Sequence, residues 1–193
     1  RLATGDNDTK VATLNEIAGR ADPEAKPLLE ALQGDTLKTL DGKQVLIVEG
    51  DSATDAITGA RLAKLPETLD DVVSNNRVTL ALEGALAALD LASPDAGTRL
   101  DAVRKLQESA NPAVLPLLAR ALAHETDRDV AKQLRLAEAT ARLQHPDKAI
   151  RLAAIRTLGA SGNPDAKQLL GALLEKDGDH FREADEGVRI AAQ

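Results

Sequence analysis

The chain has 193 residues, 43% of them hydrophobic, and a formal net charge of −7, which is enough apolar content for one sizeable domain or a short stack of repeats. Its apolar residues are nearly all Leu, Ala, Val and Ile, with Phe181 the single aromatic and no Trp, Tyr, Met or Cys, a composition that favours helices over sandwiches and barrels. An acidic chain without a basic, aromatic-interleaved stripe is excluded as a nucleic-acid or polybasic lipid binder, and lack of cysteine excludes disulfides, zinc thiolates and a cysteine nucleophile.

No apolar run approaches the roughly 18–20 residues of a membrane helix; Glu83, Asp90 and Arg120 interrupt the best candidates. The chain opens at Arg1 with neither an initiator Met nor an apolar signal segment, and so reads as a processed or excised piece.

In chain order, Asp6, Thr9, Asp22-Pro23, Pro27, Leu28 and Leu29 are matched at an offset of 89 by Asp95, Thr98, Asn111-Pro112, Pro116, Leu117 and Leu118. A diverged repeat copy is therefore expected at the N-terminus. Next comes an insertion of 37 residues between about Asp35 and Asn75. Within it, Gln44-Val45-Leu46-Ile47-Val48 predicts a strand, Gly50-Asp51-Ser52 a turn, and Ala56-Ile57-Thr58-Gly59 a short return strand. The only β structure is expected between about Lys43 and Arg61.

From Asn76 onward the chain repeats itself at an offset of 52, with about 18 identities in 45 aligned pairs, among them Val78/Val130, Leu82/Leu134, Arg99/Arg151, Leu106/Leu158 and Leu118/Leu170. Each copy predicts three helices. The first spans about Asn76 to Leu91, with Val78, Leu82, Ala85 and Leu89 on one face. The second follows Ser93-Pro94-Asp95, with Ser93 as N-cap, and turns Leu100, Val103 and Leu106 inward. The third starts at Asn111-Pro112, buries Val114, Leu117, Leu118 and Leu122, and tolerates Pro116 near its start. The fold class expected is all-α: a HEAT/armadillo-like α-solenoid of about three repeat units with one small β-hairpin-like insertion, forming a single domain over 1–193 with the insertion at about 35–75 and its hairpin at about 43–61.

A HEAT-like segment, then a β insertion ending in Asp55-Ala56-Ile57-Thr58-Gly59, then Val73-Ser74-Asn75-Asn76-Arg77 opening a helix, then the Ser93-Pro94-Asp95 and Asn111-Pro112 units: in this order, and over essentially the whole chain, these features resemble the N-terminal region of the urea ABC-transporter permease of the branched-chain amino-acid permease type. The resemblance implies a domain on the extracytoplasmic (periplasmic) side of the cell membrane, placed before the membrane-spanning permease portion. Its implied partners are the substrate-binding protein or that membrane portion. It brings no catalytic role, so no functional residue is carried over.

The residues themselves give little chemistry. His124-Glu125 is the one His-Glu pair, too few for a metal site built from converging ligands, and reads as a solvated helix end. Asp177-Gly178-Asp179-His180, followed by Glu183, Asp185 and Glu186, lacks the EF-hand spacing and reads as a solvated inter-repeat loop, with weak cation binding as the alternative. Asp6 and Asp8 read as helix-cap chemistry. Ser52, Ser74, Ser93, Ser109 and Ser161 sit at turns or caps without a nucleophile elbow, and no glycine-rich loop cradles phosphate. Asn75-Asn76-Arg77 reads as a cap followed by a solvated Arg77, or as part of a polar docking surface. No catalytic, cofactor-binding or metal residue, no cofactor, no enzymatic activity and no direct binding of a small molecule are expected. A non-catalytic protein-interaction domain of a permease for urea, or a related small amide or amino acid, is the leading function. A free-standing HEAT-repeat scaffold or lyase-type protein acting on another protein is the alternative.

Overall fold

Aspartate and asparagine side chains decide where most of the helices begin. The computed structural model describes residues 1–108 and 114–193; the expected Asn111-Pro112 corner, like Ser109, lies outside the described residues. The chain divides into two compact units, Arg1–Ala92 and Ser93–Gln193.

In the first unit, α1 (Asn7–Arg20) is capped by Asp6, whose Oδ1 accepts from Thr9 N–H at 2.8 Å. A 3-10 turn at Pro23–Ala25 leads into α2 (Lys26–Gln33), which has Pro27 in its first turn, where a missing N–H costs nothing. After the insertion, α3 (Asn76–Asp90) starts on Asn75, whose Oδ1 accepts from Val78 N–H at 3.0 Å. α3 packs on both α1 and α2. The face predicted from spacing, Val78, Leu82, Ala85 and Leu89, is buried throughout, as are Leu14 on α1 and Leu29 and Leu32 on α2. An ion pair from Lys26 Nζ to Asp90 Oδ1, 2.6 Å, ties α2 to the end of α3.

The insertion is larger in β structure than a hairpin. Strands β1 (Leu37–Leu40), β2 (Gln44–Glu49), β3 (Ser52–Asp55) and β4 (Asp70–Asp71) form an antiparallel sheet in the order β3-β2-β1-β4. The register pairs Leu37 with Ile47, Leu46 with Asp55 and Lys38 with Asp71. Expectation and structure differ here at three points, the first being β4, which lies beyond Arg61 and pairs with β1 where Lys38 Nζ meets Asp71 Oδ1 at 2.6 Å. The sheet begins before Lys43, because Asp41 and Gly42 both take positive φ (52° and 63°) and Lys43 N–H donates to Leu40 O at 3.1 Å, the tight Asp-Gly turn that joins two strands. The return strand is Ser52–Asp55, not Ala56–Gly59: the Asp55 carboxylate accepts from Ile57 N–H and Thr58 N–H at 2.9 and 2.8 Å, which turns the chain away from the ladder. Leu37, Leu46 and Ala53 are buried, and β1 lies against α2.

In the second unit, α4 (Ala96–Glu108), α5 (Leu115–His124), α6 (Arg128–Leu143), α7 (Lys148–Ala160), α8 (Pro164–Ala172) and α9 (Glu186–Ala191) follow one another. α6 packs on α4, α5 and α7, and α7 packs on α8 and α9. The cap of α4 is Asp95, whose Oδ1 accepts from Thr98 N–H at 2.7 Å, while the expected cap, Ser93, accepts from Asp95 N–H. Pro94 explains the shift: it precedes the cap instead of occupying the first turn. Asp127, Asp147, Asn163 and Asp185 cap α6, α7, α8 and α9 in the same way. Val103, Leu106, Leu118, Val130, Leu134 and Leu158 are buried; Leu100, Leu117 and Leu122 are half-buried. A further departure from the expected confinement of β structure is a pair of two-residue strands, β5 (Lys176–Asp177) and β6 (His180–Phe181), turned by Gly178 at φ 62°. Among the described residues no helix is long and apolar enough to cross a membrane.

Two stability changes follow. Leu118 has no exposure, and Leu118→Ala is expected to lower the unfolding free energy by about 2–5 kcal/mol in urea titration, as for buried leucines that leave a cavity. Ala21, the C-cap of α1, sits at φ 49° and ψ 44°, whereas its repeat equivalent is Gly162 at φ 62°. Ala21→Gly is expected to stabilise the chain by about 1 kcal/mol by removing left-handed strain; a lower Tm would contradict this.

Candidate functional site

A cation stands at the fourth residue of α1, α4 and α7: Lys10, Arg99 and Arg151. Side chains there lie over the first turn, close to the loop that leads into a later helix. Arg99 donates through Nε and Nη2 to the two carboxylate oxygens of Glu125 at 2.8 and 2.9 Å, and through Nη1 to the carbonyls of Ser93 and Pro94 at 2.9 and 3.1 Å. Arg151 repeats this with the carbonyls of His145 and Pro146 at 3.0 and 2.9 Å, and with Glu183. Its Nη2 donates to Glu183 Oε1 at 3.2 Å, and its Nε lies 3.0 Å from Oε2 without hydrogen-bond alignment, so the second fork is looser than the first. Lys10, itself buried, donates its Nζ to Val73 O at 2.7 Å.

The acceptors occupy equivalent places. Val73, Glu125 and Glu183 each lie two residues before the N-cap of the next helix, Asn75, Asp127 and Asp185. Glu125 Oε1 accepts in addition from Asp127 N–H at 2.8 Å, and Glu183 Oε1 from Asp185 N–H at 2.9 Å. The cation thus holds the acid, and the acid holds the cap that starts the following helix. With side-chain exposures of 16% for Arg99 and 4% for Glu125, the first fork is shielded from solvent screening.

Chemically, this constellation is a cross-link. Arg99 spends its donors on the carboxylate and on two carbonyls, leaving no fork for an incoming anion. Hydrogen bonding from Arg99, with further help from the Asp127 and Thr126 amides against the opposing effect of burial, lowers the Glu125 pKa from 4.5 to about 2. A permanently ionised, doubly bound carboxylate is no general acid at neutral pH.

Asp55 is the second organised polar centre. It accepts from Gln44 Nε2 at 2.7 Å as well as from the Thr58 and Ile57 amides, and these bonds hold its pKa at about 2. The carboxylate thereby shapes the Asp55–Gly59 turn, and Ile57 stands at its tip, 82% exposed.

The other residues singled out by sequence fall apart spatially. Glu125 is half-buried with its side chain nearly covered, Glu183 is buried, and both are ion-paired, which corrects their reading as solvated: each faces an arginine from an earlier helix. His124 and His180 are exposed, and His145 Nδ1 accepts from Asp147 N–H at 3.0 Å. Phe181 lies beneath the cations Lys176 and Arg189, 4.8 and 4.4 Å from its ring centre. Asn75 caps α3, Asp6 caps α1, and Asp8 instead reaches Arg77 at 3.0 Å in an exposed pair. Ser52 Oγ donates to Glu49 O and Ser161 Oγ to Leu158 O. Among the described residues no group of three or more His, Cys, Asp or Glu side chains is placed to hold a metal ion.

Residues 132–189 match the family model described as HEAT repeats. That segment runs from α6 across α7 and α8 to α9, and with the recurring cation ties it makes the chain a helical repeat fold that also carries a four-stranded antiparallel sheet. No curated protein and no solved structure matches the chain.

The depressed pKa of Glu125 has a defined sign. A carboxylate with a lower pKa folded than unfolded adds stability above its unfolded value, and that increment fades as pH falls through the folded value. Glu125→Gln is therefore expected to unfold at lower urea than the parent at pH 7, with the gap closing between about pH 4.5 and 2. An undiminished gap at pH 2 would show that the carboxylate charge is not what the fork uses.

Proposed function

We propose that the chain is a non-catalytic protein-contact domain, a HEAT/armadillo-like solenoid of about three units that serves an ABC-transporter permease for urea, or a related small amide or amino acid, on the extracytoplasmic side of the membrane. The observation carrying this reading is where the organised polar groups go. The two side-chain assemblies with the strongest polar organisation, the cation forks and the Asp55 turn, are consumed in holding backbone. Neither leaves converging donors and acceptors of the kind that enclose a small planar amide. What remains for recognition is surface: the rigidly held turn carrying exposed Ile57, and the helix faces.

The link to urea transport rests on the ordered segments Asp55–Gly59 and Val73–Arg77. Both belong to the unit that bears the sheet, the first at the exposed end of β3 and the second leading into α3. A cytoplasmic scaffold acting on another protein is the second reading, favoured by the HEAT match over 132–189.

A photo-crosslinker placed at Ile57 in the intact membrane-bound transporter separates the two. Adducts with the substrate-binding protein or with the permease's membrane portion are expected; adducts confined to cytoplasmic proteins would favour the scaffold. Ile57→Glu is expected to weaken urea uptake while leaving the Tm unchanged, because the side chain is exposed. Deleting the insertion is a poorer probe, since it removes the buried Leu37, Leu46 and Ala53. Calorimetry of the isolated chain is expected to show no urea binding at micromolar concentration, and micromolar affinity would sink the contact-module reading.

A further inference from the structure

Between α6 and α7 lies a cavity of about 260 Å³ whose lining includes Lys132, Arg135 and Leu136 on one side and Thr157, Leu158 and Asn163 on the other. Its floor is apolar: Leu136 and Leu158 are 5% and 1% exposed. Its α6 rim is cationic. Lys132 and Arg135, three residues apart on one helix face, are both exposed, and neither has a carboxylate within 4.0 Å among the described residues. Glu138, the acid one turn beyond Arg135, is held by Arg142 at 2.7 Å. Thr157 directs its hydroxyl to Ala153 O, and Asn163 uses Oδ1 to cap α8, which leaves its amide N–H₂ as a donor. A chain of net charge −7 therefore presents, at this place, two unneutralised cations beside an apolar trough.

The internal repeat sets this patch apart from the framework. Leu134, Ala137, Arg151, Leu152, Ala154 and Leu158 repeat the residues found 52 positions earlier, Leu82, Ala85, Arg99, Leu100, Ala102 and Leu106. The α6 side of the groove and Thr157 do not: Lys132, Arg135, Leu136 and Thr157 stand where the earlier copy has Leu80, Glu83, Gly84 and Lys105. The floor residue Leu158 and the lining Asn163 are the same in both copies, whereas Lys132, Arg135, Leu136 and Thr157, which give the groove its charge and half of its floor, belong to this copy alone.

We infer that this groove receives an extended, acidic segment of a partner protein, with aliphatic side chains laid on Leu136 and Leu158 and carboxylates meeting Lys132 and Arg135. A small anion is a poorer fit, since the apolar floor of Leu136 and Leu158 offers it nothing. An extended chain alternates its side chains and so presents apolar and charged groups to floor and rim together. The chain's overall negative charge repels acidic partners elsewhere and directs them here. The inference rests on the contact-module reading and names the chemistry of one contact.

The test is fluorescence anisotropy of the full chain at low salt, with a fluorescein-labelled peptide alternating glutamate and leucine as the probe, and one alternating lysine and leucine beside it. Saturable binding of the acidic peptide alone is expected. The double variant Lys132→Glu/Arg135→Glu is expected to weaken it at least tenfold, and Lys132→Ala/Arg135→Ala to weaken it by a smaller factor. The double variant Arg120→Glu/Lys167→Glu makes the same charge change at other exposed cations and is expected to stay within twofold of the parent. Circular-dichroism melts establish that each variant is folded. No saturable binding of the acidic peptide, an equal loss in the control variant, or tighter binding of the chain to phosphatidylserine vesicles than to the peptide would overturn the inference. Crosslinks from Ile57 to a transporter component without peptide binding would remove the groove and keep the contact role; peptide binding without such crosslinks would do the reverse.

Discussion

The arrangement of this chain depends on one recurring polar tie: a cation on the first turn of one helix grips the residue two places before the cap of a later one. Its importance follows from the composition of the core. Leu and Ala dominate the interfaces, and Phe181, the single aromatic, lies outside them. Small, similar side chains pack at many registers with nearly equal energy, so apolar burial alone leaves helix positions poorly specified. A bidentate Arg99–Glu125 fork accepts one geometry only. Burying charge is costly and such pairs add little net stability, but removing one partner strands the other, so the alternatives to the native register become expensive. Each tie joins two helices that also pack on each other: α1 with α3, α4 with α6, and α7 with α9.

The same tie explains how the chain carries its sheet. In the first unit the acceptor is not a carboxylate but the carbonyl of Val73, where the insertion returns to the helices. Val73 corresponds to Glu125 in the repeat. A backbone carbonyl offers a single acceptor to a donor approaching along one direction, which suits the point charge of Lys10; the planar fork of arginine suits the two oxygens of a carboxylate. Cation and acceptor are therefore matched in each copy, and the insertion is joined to the helices through a bond that needs no particular side chain at position 73.

Much of the fold was legible in the sequence because its causes are local or periodic. Val78, Leu82, Ala85 and Leu89 announce a buried face by spacing, and Asn75, Asp6 and Asp95 announce helix starts by chemistry. Asp41-Gly42 is an equally local signal for a strand before Lys43, but Leu37–Leu40 lacks the continuous apolar run that marks Val45–Val48 as a strand. The return strand was displaced because Ile57 and Thr58 have strand-like side chains, while the Asp55 carboxylate that bends the chain acts over two and three residues. The forks were harder to see. Arg99 and Arg151 align at an offset of 52, but Glu125 and Glu183 are 58 apart, so at the repeat offset Glu125 faces Asp177. A charged residue at a helix end, viewed without its partner, looks solvated.

Those six extra residues show how the repeat absorbs change. They fall where β5 and β6 form, and this short ribbon is held by its own contacts: Arg182 N–H donates to Glu175 O at 2.9 Å, and Phe181 is covered by Lys176 from the neighbouring strand and by Arg189 from α9. The ribbon folds back on itself and delivers Glu183 to Arg151 as if no residues had been added. The long insertion obeys the same condition, returning Val73 to Lys10 after a sheet of its own. Length between helices is thus nearly free in this architecture, provided the chain comes back to its cation, because closing a longer loop costs little once its own residues are packed. It follows that the ties are the constrained part of the molecule, and that the sheet, its exposed turn and the groove rims are free to vary in shape and charge without loss of the fold.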